Sequence, residues 1–106
     1  MAVASISSWR AHPGRRLEFL ERIGGARKFH ERHGGRVRIW NHSVAGESVG
    51  TIDYWIEHDD FEAYGRFSAA LAGDPVYQEW FRAFTEDDPS GTVIATRLLH
   101  DIPEST

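Results

Sequence analysis

The segment from Arg36 to Glu57, RVRIWNHSVAGESVGTIDYWIE, alternates in character on both sides of a short polar break, which constrains the fold more than any other stretch. Side chains point alternately to the two faces of a strand, so each half reads as a strand with two different sides. A two-residue type II′ turn within Ala45-Gly46-Glu47-Ser48, with Gly46 in the first central position at positive φ, joins them. Val37 then opposes Ile56, Ile39 opposes Tyr54 and Asn41 opposes Ile52 on one face. The other face pairs Arg36 with Glu57, Arg38 with Trp55, Trp40 with Asp53 and His42 with Thr51. A slip by one residue would mix the two sets, so the sorting itself supports the register. The first set makes an ordinary core face. The second carries two tryptophans among charges and calls for a covering partner.

The remaining elements fall into place around this hairpin. Val3 to Ala11 is expected as a first strand, ended by His12-Pro13-Gly14. A helix from about Arg15 to His33 follows and stops at Gly34-Gly35. Its buried stripe is Phe19, Ile23, Ala26 and His30, with Leu20 alongside. Gly24-Gly25 inside it costs about 1 kcal/mol per glycine relative to alanine, which implies a bend or the close approach of another backbone. A second helix starts from Asp59 or Asp60 as N-cap, with Phe61, Tyr64, Ser68 and Leu71 inward and Phe67 at the edge. Asp74 and Pro75 start a third, whose stripe is Val76, Trp80 and Phe84, widened by Tyr77 and Phe81. After a loop from Glu86 to Gly91, the run from Thr92 to Leu99 reads as a strand buried on both faces.

The order β-α-β-β-α-(α)-β predicts an α+β, ferredoxin-like split βαβ fold, with a four-stranded antiparallel sheet and helices on one face only. A chain of 106 residues holds one such domain, spanning 1–106. The second sheet face has no helix left to cover it. A second copy of the sheet would close it, which predicts a homodimer through Arg38, Trp40, Asp53 and Trp55.

Charge and composition narrow the partners. A net charge of −4 without a basic run argues against nucleic acid. The absence of cysteine excludes disulfides, thiolate metal sites and cysteine nucleophiles. MAVASISSWR shows neither a charged leader nor a long apolar segment, so no membrane association is expected and the expected location is cytoplasmic.

Two stretches carry a family resemblance. SWRAHPGRRLEFL is a strand ending in proline-glycine before an amphipathic helix, and EHDDFEAYGRF followed by LAGDPVYQEW is an acid-capped helix leading to an Asp-Pro helix start. On these the chain resembles the dimeric α/β barrel superfamily, which includes the antibiotic-biosynthesis monooxygenase, EthD-like and NIPSNAP-like families. The resemblance implies sheet-to-sheet dimers and a ligand between each sheet and its own helices. It also implies a range of activities, among them cofactor-free oxygenases of aromatic polyketides, isomerases and cyclases, haem-degrading enzymes and proteins of unknown role. Fold alone does not choose among these.

Polar residues on otherwise apolar faces mark the candidate site. His30 lies in the middle of the helical stripe, and Tyr54 and Asn41 lie on the hairpin face that should meet it. An imidazole, a phenol and an amide around an apolar pocket can orient an enolic or phenolic substrate and move one proton. Trp9, Phe19, Ile23 and Trp80 are the candidate substrate-binding walls; Trp80 reads equally as a core residue. The competing reading makes His30 a core histidine satisfied by Asn41 or a backbone carbonyl.

His30-Glu31-Arg32-His33 lacks the i, i+4 histidine spacing of a zinc-protease helix, and His33 suits the helix C-terminus by charge. His30 could in principle serve a haem, but no haem signature accompanies it. No metal and no cofactor is expected. Arg36, Arg38, Asp53 and Glu57 read as cross-strand charge pairs, with carboxylate binding inside a barrel as the alternative. The function expected is that of a small-molecule enzyme, a cofactor-free monooxygenase or an isomerase/cyclase, acting on an apolar aromatic or enolisable metabolite. The alternative is a non-catalytic dimer that binds a metabolite or a partner protein.

Overall fold

Alternation on either side of the central break produces two paired strands, and their register is the one the side-chain sorting demands. The computed structural model describes residues 1–44, 46 and 49–102. Its elements are β1 (Val3–Ala11), α1 (Arg16–Arg32), β2 (Arg36–Asn41), β3 (Ile52–His58), α2 (Phe61–Ala72), α3 (Pro75–Arg82), a π-helical turn (Ala83–Asp87) and β4 (Gly91–His100). The strands form one four-stranded antiparallel sheet in the order β2-β3-β1-β4. This is the ferredoxin-like α+β arrangement. Arg36 pairs with Glu57, Val37 with Ile56, Ile39 with Tyr54 and Asn41 with Ile52.

Most of the proposed type II′ turn, Ala45, Glu47 and Ser48, lies outside the described residues. Gly46 has a φ of 56°, as that turn requires of it. The ladder does not run straight into the turn, however. His42 donates to the Thr51 carbonyl and accepts from the Gly50 amide, each at 2.9 Å, so two residues oppose one. Gly50, at φ 85°, therefore occupies the left-handed position of a bulge next to the loop.

Helix α1 buries Phe19, Ile23, Ala26 and His30, the stripe its spacing predicts. It ends on a Schellman motif: the Gly35 amide bonds to the His30 carbonyl at 2.9 Å and the Gly34 amide to that of Glu31 at 3.1 Å. Gly35 is also needed for space. A Cβ there would lie 2.6 Å from Ile56 Cγ2 and 3.1 Å from Phe67 Cε2. The helix runs unbroken through Gly24-Gly25, and the group that approaches is a side chain rather than a backbone. The Trp80 indole lies 3.6 Å from where a Gly25 Cβ would be.

Two helix faces differ from the expected ones. In α2 the buried residue is Phe67, while Phe61 and Ser68 are exposed. The slot left by Gly35 takes the Phe67 ring and sets the rotation of the helix. In α3 the buried residue is Tyr77, followed inward by Trp80 and then Phe84 in the π-helical turn; Val76 faces solvent. Asp60 and Asp74 cap the two helices as expected, accepting from Ala63 and from Val76 and Tyr77.

Strand β4 is not buried on both faces. It is the sheet edge beside β1, and Val93, Ile94, Leu98 and Leu99 are exposed along it. A run of apolar residues reads alike for a central strand and for an edge that something else covers, and here topology decides. Charge pairing also differs from expectation. Arg36 lies opposite Glu57 but bonds Asp59 at 2.9 Å, and Asp53 bonds Ser8 and His42 rather than an arginine. Among the described residues no helix is long and apolar enough to cross a membrane.

Candidate functional site

The helix-facing side of the sheet presents Tyr54 and Ile56 from β3 and Ser7 and Trp9 from β1. Above them α1 places Ile23, Ala26 and His30, and α3 with its π-helical extension places Tyr77, Trp80 and Phe84. These surfaces do not close on one another. Between them lies a cavity of about 290 Å³, at the lower end of the range for small-molecule sites. Among the described residues no arginine, lysine, aspartate or glutamate lines it. A larger groove of about 660 Å³ along the outer side of α3 is lined by exposed polar residues such as Gln78, Glu79 and Arg82, and it has no buried titratable group.

His30 is the polar centre of this cavity, 7% exposed, with both ring nitrogens engaged. Nδ1 lies 2.6 Å from the Tyr54 hydroxyl and Nε2 lies 3.2 Å from the Tyr77 hydroxyl. The rings of Tyr54 and Tyr77 both meet the imidazole edge-on, at 5.4 and 5.3 Å between centroids. Burial, reinforced by the nearby His33 and His58, pushes the His30 pKa down to about 4. Burial also raises the pKa of both phenols. All three groups are therefore neutral at physiological pH, as a low-dielectric surrounding favours. The trio can donate and accept hydrogen bonds without introducing charge.

The walls are aromatic. Trp9 packs on Phe84 at 5.5 Å and on Phe19 at 5.8 Å, and Trp80 stacks nearly parallel on Phe84 at 5.1 Å. Trp9 Nε1 is satisfied by Ser7 Oγ at 2.8 Å, which fixes the indole against the cavity floor.

The structure thus brings together five of the seven expected site residues: His30, Tyr54, Trp9, Ile23 and Trp80. Phe19 is fully buried behind Trp9 and supports the wall without lining the cavity. Asn41 does not belong to the site. It is exposed at the end of β2 and accepts from Arg16 at 2.8 Å. Arg16 opens α1, whereas His30 lies near its other end, about 21 Å along the axis at 1.5 Å per residue.

His33 is the C-cap residue of α1, at the helix end where the sequence places it. Its Nε2 meets Asp74 Oδ2 at 2.8 Å and ties the end of α1 to the cap of α3. Among the described residues no cluster of three or more histidine, aspartate or glutamate side chains is arranged to hold a metal. Haem ligation by His30 does not fit this arrangement, because both ring nitrogens are already hydrogen-bonded.

Several solved structures share this architecture. An uncharacterized NIPSNAP domain protein from Burkholderia xenovorans superposes with a TM-score of 0.72 at 16% identity, covering 98% of each chain. A NIPSNAP family protein from Agrobacterium tumefaciens gives 0.71 at 12% identity, covering 99% of this chain and 97% of that one. SnoaB, a cofactor-independent oxygenase from Streptomyces nogalater, gives 0.67 at 17% identity, covering 97% and 98%. The fold is theirs. It agrees with the superfamily that the sequence resembles, and at these identities the likeness concerns the fold alone. No family model matches the sequence, and no curated protein matches it.

Within this fold the residue that sequence reasoning missed is Tyr77. The stripe Val76-Trp80-Phe84 and the observed Tyr77-Trp80-Phe84 are both helical spacings within one broad apolar arc, opposite Gln78, Glu79 and Arg82. A signal was present: a phenol prefers burial with a partner for its hydroxyl, whereas valine at the first turn has no such need.

Proposed function

We propose that the protein is a small-molecule enzyme of the cofactor-free monooxygenase or isomerase/cyclase type, acting on an apolar aromatic or enolisable metabolite in the His30 cavity. One observation carries this reading: a neutral imidazole is held between two phenols beside an uncharged, aromatic-walled space of about 290 Å³. A core histidine needs hydrogen-bond partners but no open volume next to it. The volume is what a purely structural role leaves unexplained. A fold shared with a protein described as a cofactor-independent oxygenase supports the class of chemistry, and no residue role is carried over from it.

The non-catalytic alternative is a protein that binds the same kind of compound without turning it over. A thermal-shift screen of neutral aromatic compounds, repeated on His30→Ala, followed by oxygen-uptake and product analysis on the hits, separates the readings. A stabilising ligand that is consumed by the wild type but not by His30→Ala supports the enzyme. A ligand that stabilises and is recovered unchanged supports the binding protein. No response from any compound would contradict both.

The open sheet face supports a second, compatible proposal, a homodimer. Trp40 is 45% exposed and packs at 5.8 Å on Trp55 with the two rings tilted by 52°, and the Arg38 guanidinium lies over the Trp40 ring. Together with Leu99 of β4, which pairs with Ala4 on the same side of the sheet, these make an apolar face with charges, suited to a second copy of the sheet. Sedimentation should give a dimer that Trp40→Glu dissociates; a wild-type monomer would refute it.

A further inference from the structure

We infer that Tyr77 is the group that meets the ligand, donating its hydroxyl hydrogen to the carbonyl oxygen of a neutral aromatic ketone or quinone. This rests on the reading of the cavity as a ligand site and goes further in naming the contact and the compound class.

The starting point is the difference between the two bonds to His30. A neutral imidazole has one N–H and one bare nitrogen, so one tyrosine must donate to the ring and the other must accept from it. The 2.6 Å contact to Nδ1 has the length of a hydroxyl donating to a bare nitrogen. The 3.2 Å contact to Nε2 lies at the long end of the range for an N–H donor to oxygen. The pair of lengths assigns the Nε2–H tautomer, with Tyr54 as donor and Tyr77 as acceptor. The Tyr54 hydrogen is thereby committed to the ring.

The Tyr77 hydrogen is not. Its oxygen receives the Nε2–H, and among the described residues nothing accepts its own proton. Because hydrogen bonds in a chain polarise one another, the sequence Tyr54 to His30 to Tyr77 strengthens Tyr77 as a donor. Ser7 presents a similar case on the sheet floor. Its Oγ accepts from Trp9, and its own hydrogen has no acceptor among the described residues. Thr85, on the other wall, already gives its hydrogen to the Phe81 carbonyl at 2.8 Å. The cavity thus offers hydroxyl hydrogens and wants acceptors.

The remaining surface sets the rest of the ligand. Trp9, Trp80 and Phe84 offer ring faces and edges, which suit a flat aromatic body. With no cationic side chain in the lining among the described residues, a carboxylate or phosphate would lose its hydration without compensation. An uncharged carbonyl compound of one or two fused rings matches both the donors and the space.

Three probes of matched shape test this: indane, 1-indanone and indane-1-carboxylate, titrated calorimetrically into wild type, Tyr77→Phe and Tyr54→Phe. The wild type should bind 1-indanone about tenfold more tightly than Tyr77→Phe does, the loss of one hydrogen bond. Indane should bind the two proteins equally, and the carboxylate should bind neither. If indane and 1-indanone bind alike and Tyr77→Phe changes nothing, the cavity is a ligand site but the assignment of Tyr77 is overturned. If no probe binds, the reading of the cavity itself fails.

Two measurements on the wild type do not depend on a variant that folds. Nitrogen-15 spectra should show the His30 proton on Nε2, and a proton on Nδ1 overturns the inference. The carbonyl stretch of bound 1-indanone should move to lower frequency than in hydrocarbon solvent; an unshifted band overturns it too.

Discussion

The two faces of the β1–β3 pair handle polar groups in opposite ways, and adjacent serines show the difference. Ser7 and Tyr54 lie opposite one another on the helix side, while Ser8 and Asp53 lie opposite one another on the open side. Around the cavity on the helix side burial drives three titratable groups to their neutral forms: His30 is pushed down, and the Tyr54 and Tyr77 phenols are pushed up. On the open side Asp53 stays ionised. Burial alone would raise its pKa, but hydrogen bonds from Ser8 and His42 and the nearby Arg97 charge outweigh it and hold it below the usual range. Ser8 joins this network at both ends, donating to Asp53 at 2.7 Å and accepting from Arg97 at 2.9 Å. One sheet therefore carries a neutral hydrogen-bonding site on one face and a paired ionic patch on the other. The proposed uncharged ligand would suit the first, and the proposed second copy of the sheet would suit the second.

The largest expected effect comes from the neutral face in acid. Folded His30 takes up a proton only near pH 4, whereas in the unfolded chain it does so near pH 6.5. Its contribution to stability is thus complete above pH 6.5 and is lost as pH falls towards 4. The loss is on the order of 3 kcal/mol. His58, buried and likewise shifted down, acts in the same direction. Urea unfolding at a series of pH values should show a steep decline in this window for the wild type and a shallower one for His30→Gln. Equal slopes would mean that His30 is not the group responsible.

Removing the short bond comes next. Tyr54→Phe leaves Nδ1 of a buried imidazole without its donor and should cost about 1–3 kcal/mol. Asp53→Asn on the open face should cost less, on the order of 1 kcal/mol, because the amide oxygen still accepts from Ser8 and no buried group is left without its partner there. A greater loss in Asp53→Asn than in Tyr54→Phe would reverse the comparison and make the open face the more tightly organised of the two. Both values can be read from denaturant midpoints at neutral pH.

Much of this architecture is legible in the sequence, and the failures share a physical origin. Register in the hairpin follows from parity, because strand side chains alternate strictly and a slip exposes the wrong set. The stripe Phe19-Ile23-Ala26-His30 is legible from its helical spacing, even though Leu17, Leu20 and Phe29 lie off it. Parity assigns a face but not a position along the strand, and so Asn41 has the right side and the wrong end. In α3 the signal fails differently: Val76, Trp80, Phe84, Tyr77 and Phe81 share one broad apolar arc opposite Gln78, Glu79 and Arg82, and Val76 marks the edge of that arc rather than its centre. The rotation of α3 is set by what waits beneath it, His30 with a nitrogen to satisfy and Gly25 with room for Trp80. The rotation of α2 likewise depends on the space at Gly35, which no local pattern encodes. Strand β4 is an edge strand, as β2 is, but whereas β2 buries Val37, β4 leaves Val93, Ile94, Leu98 and Leu99 exposed.

The claim on which the account depends is that open volume lies beside His30, and Ala26→Leu tests it most directly. Ala26 lines the cavity from α1 on the same stripe as Ile23 and His30. If the space is open, three added carbons enter it in place of a ligand. Stability should then hold or rise, each buried methylene contributing up to about 0.8 kcal/mol, while the thermal-shift response to neutral aromatic compounds disappears. If the region is instead a filled core, the larger side chain must displace its neighbours. A loss of about 1–3 kcal/mol in Ala26→Leu would then contradict the account.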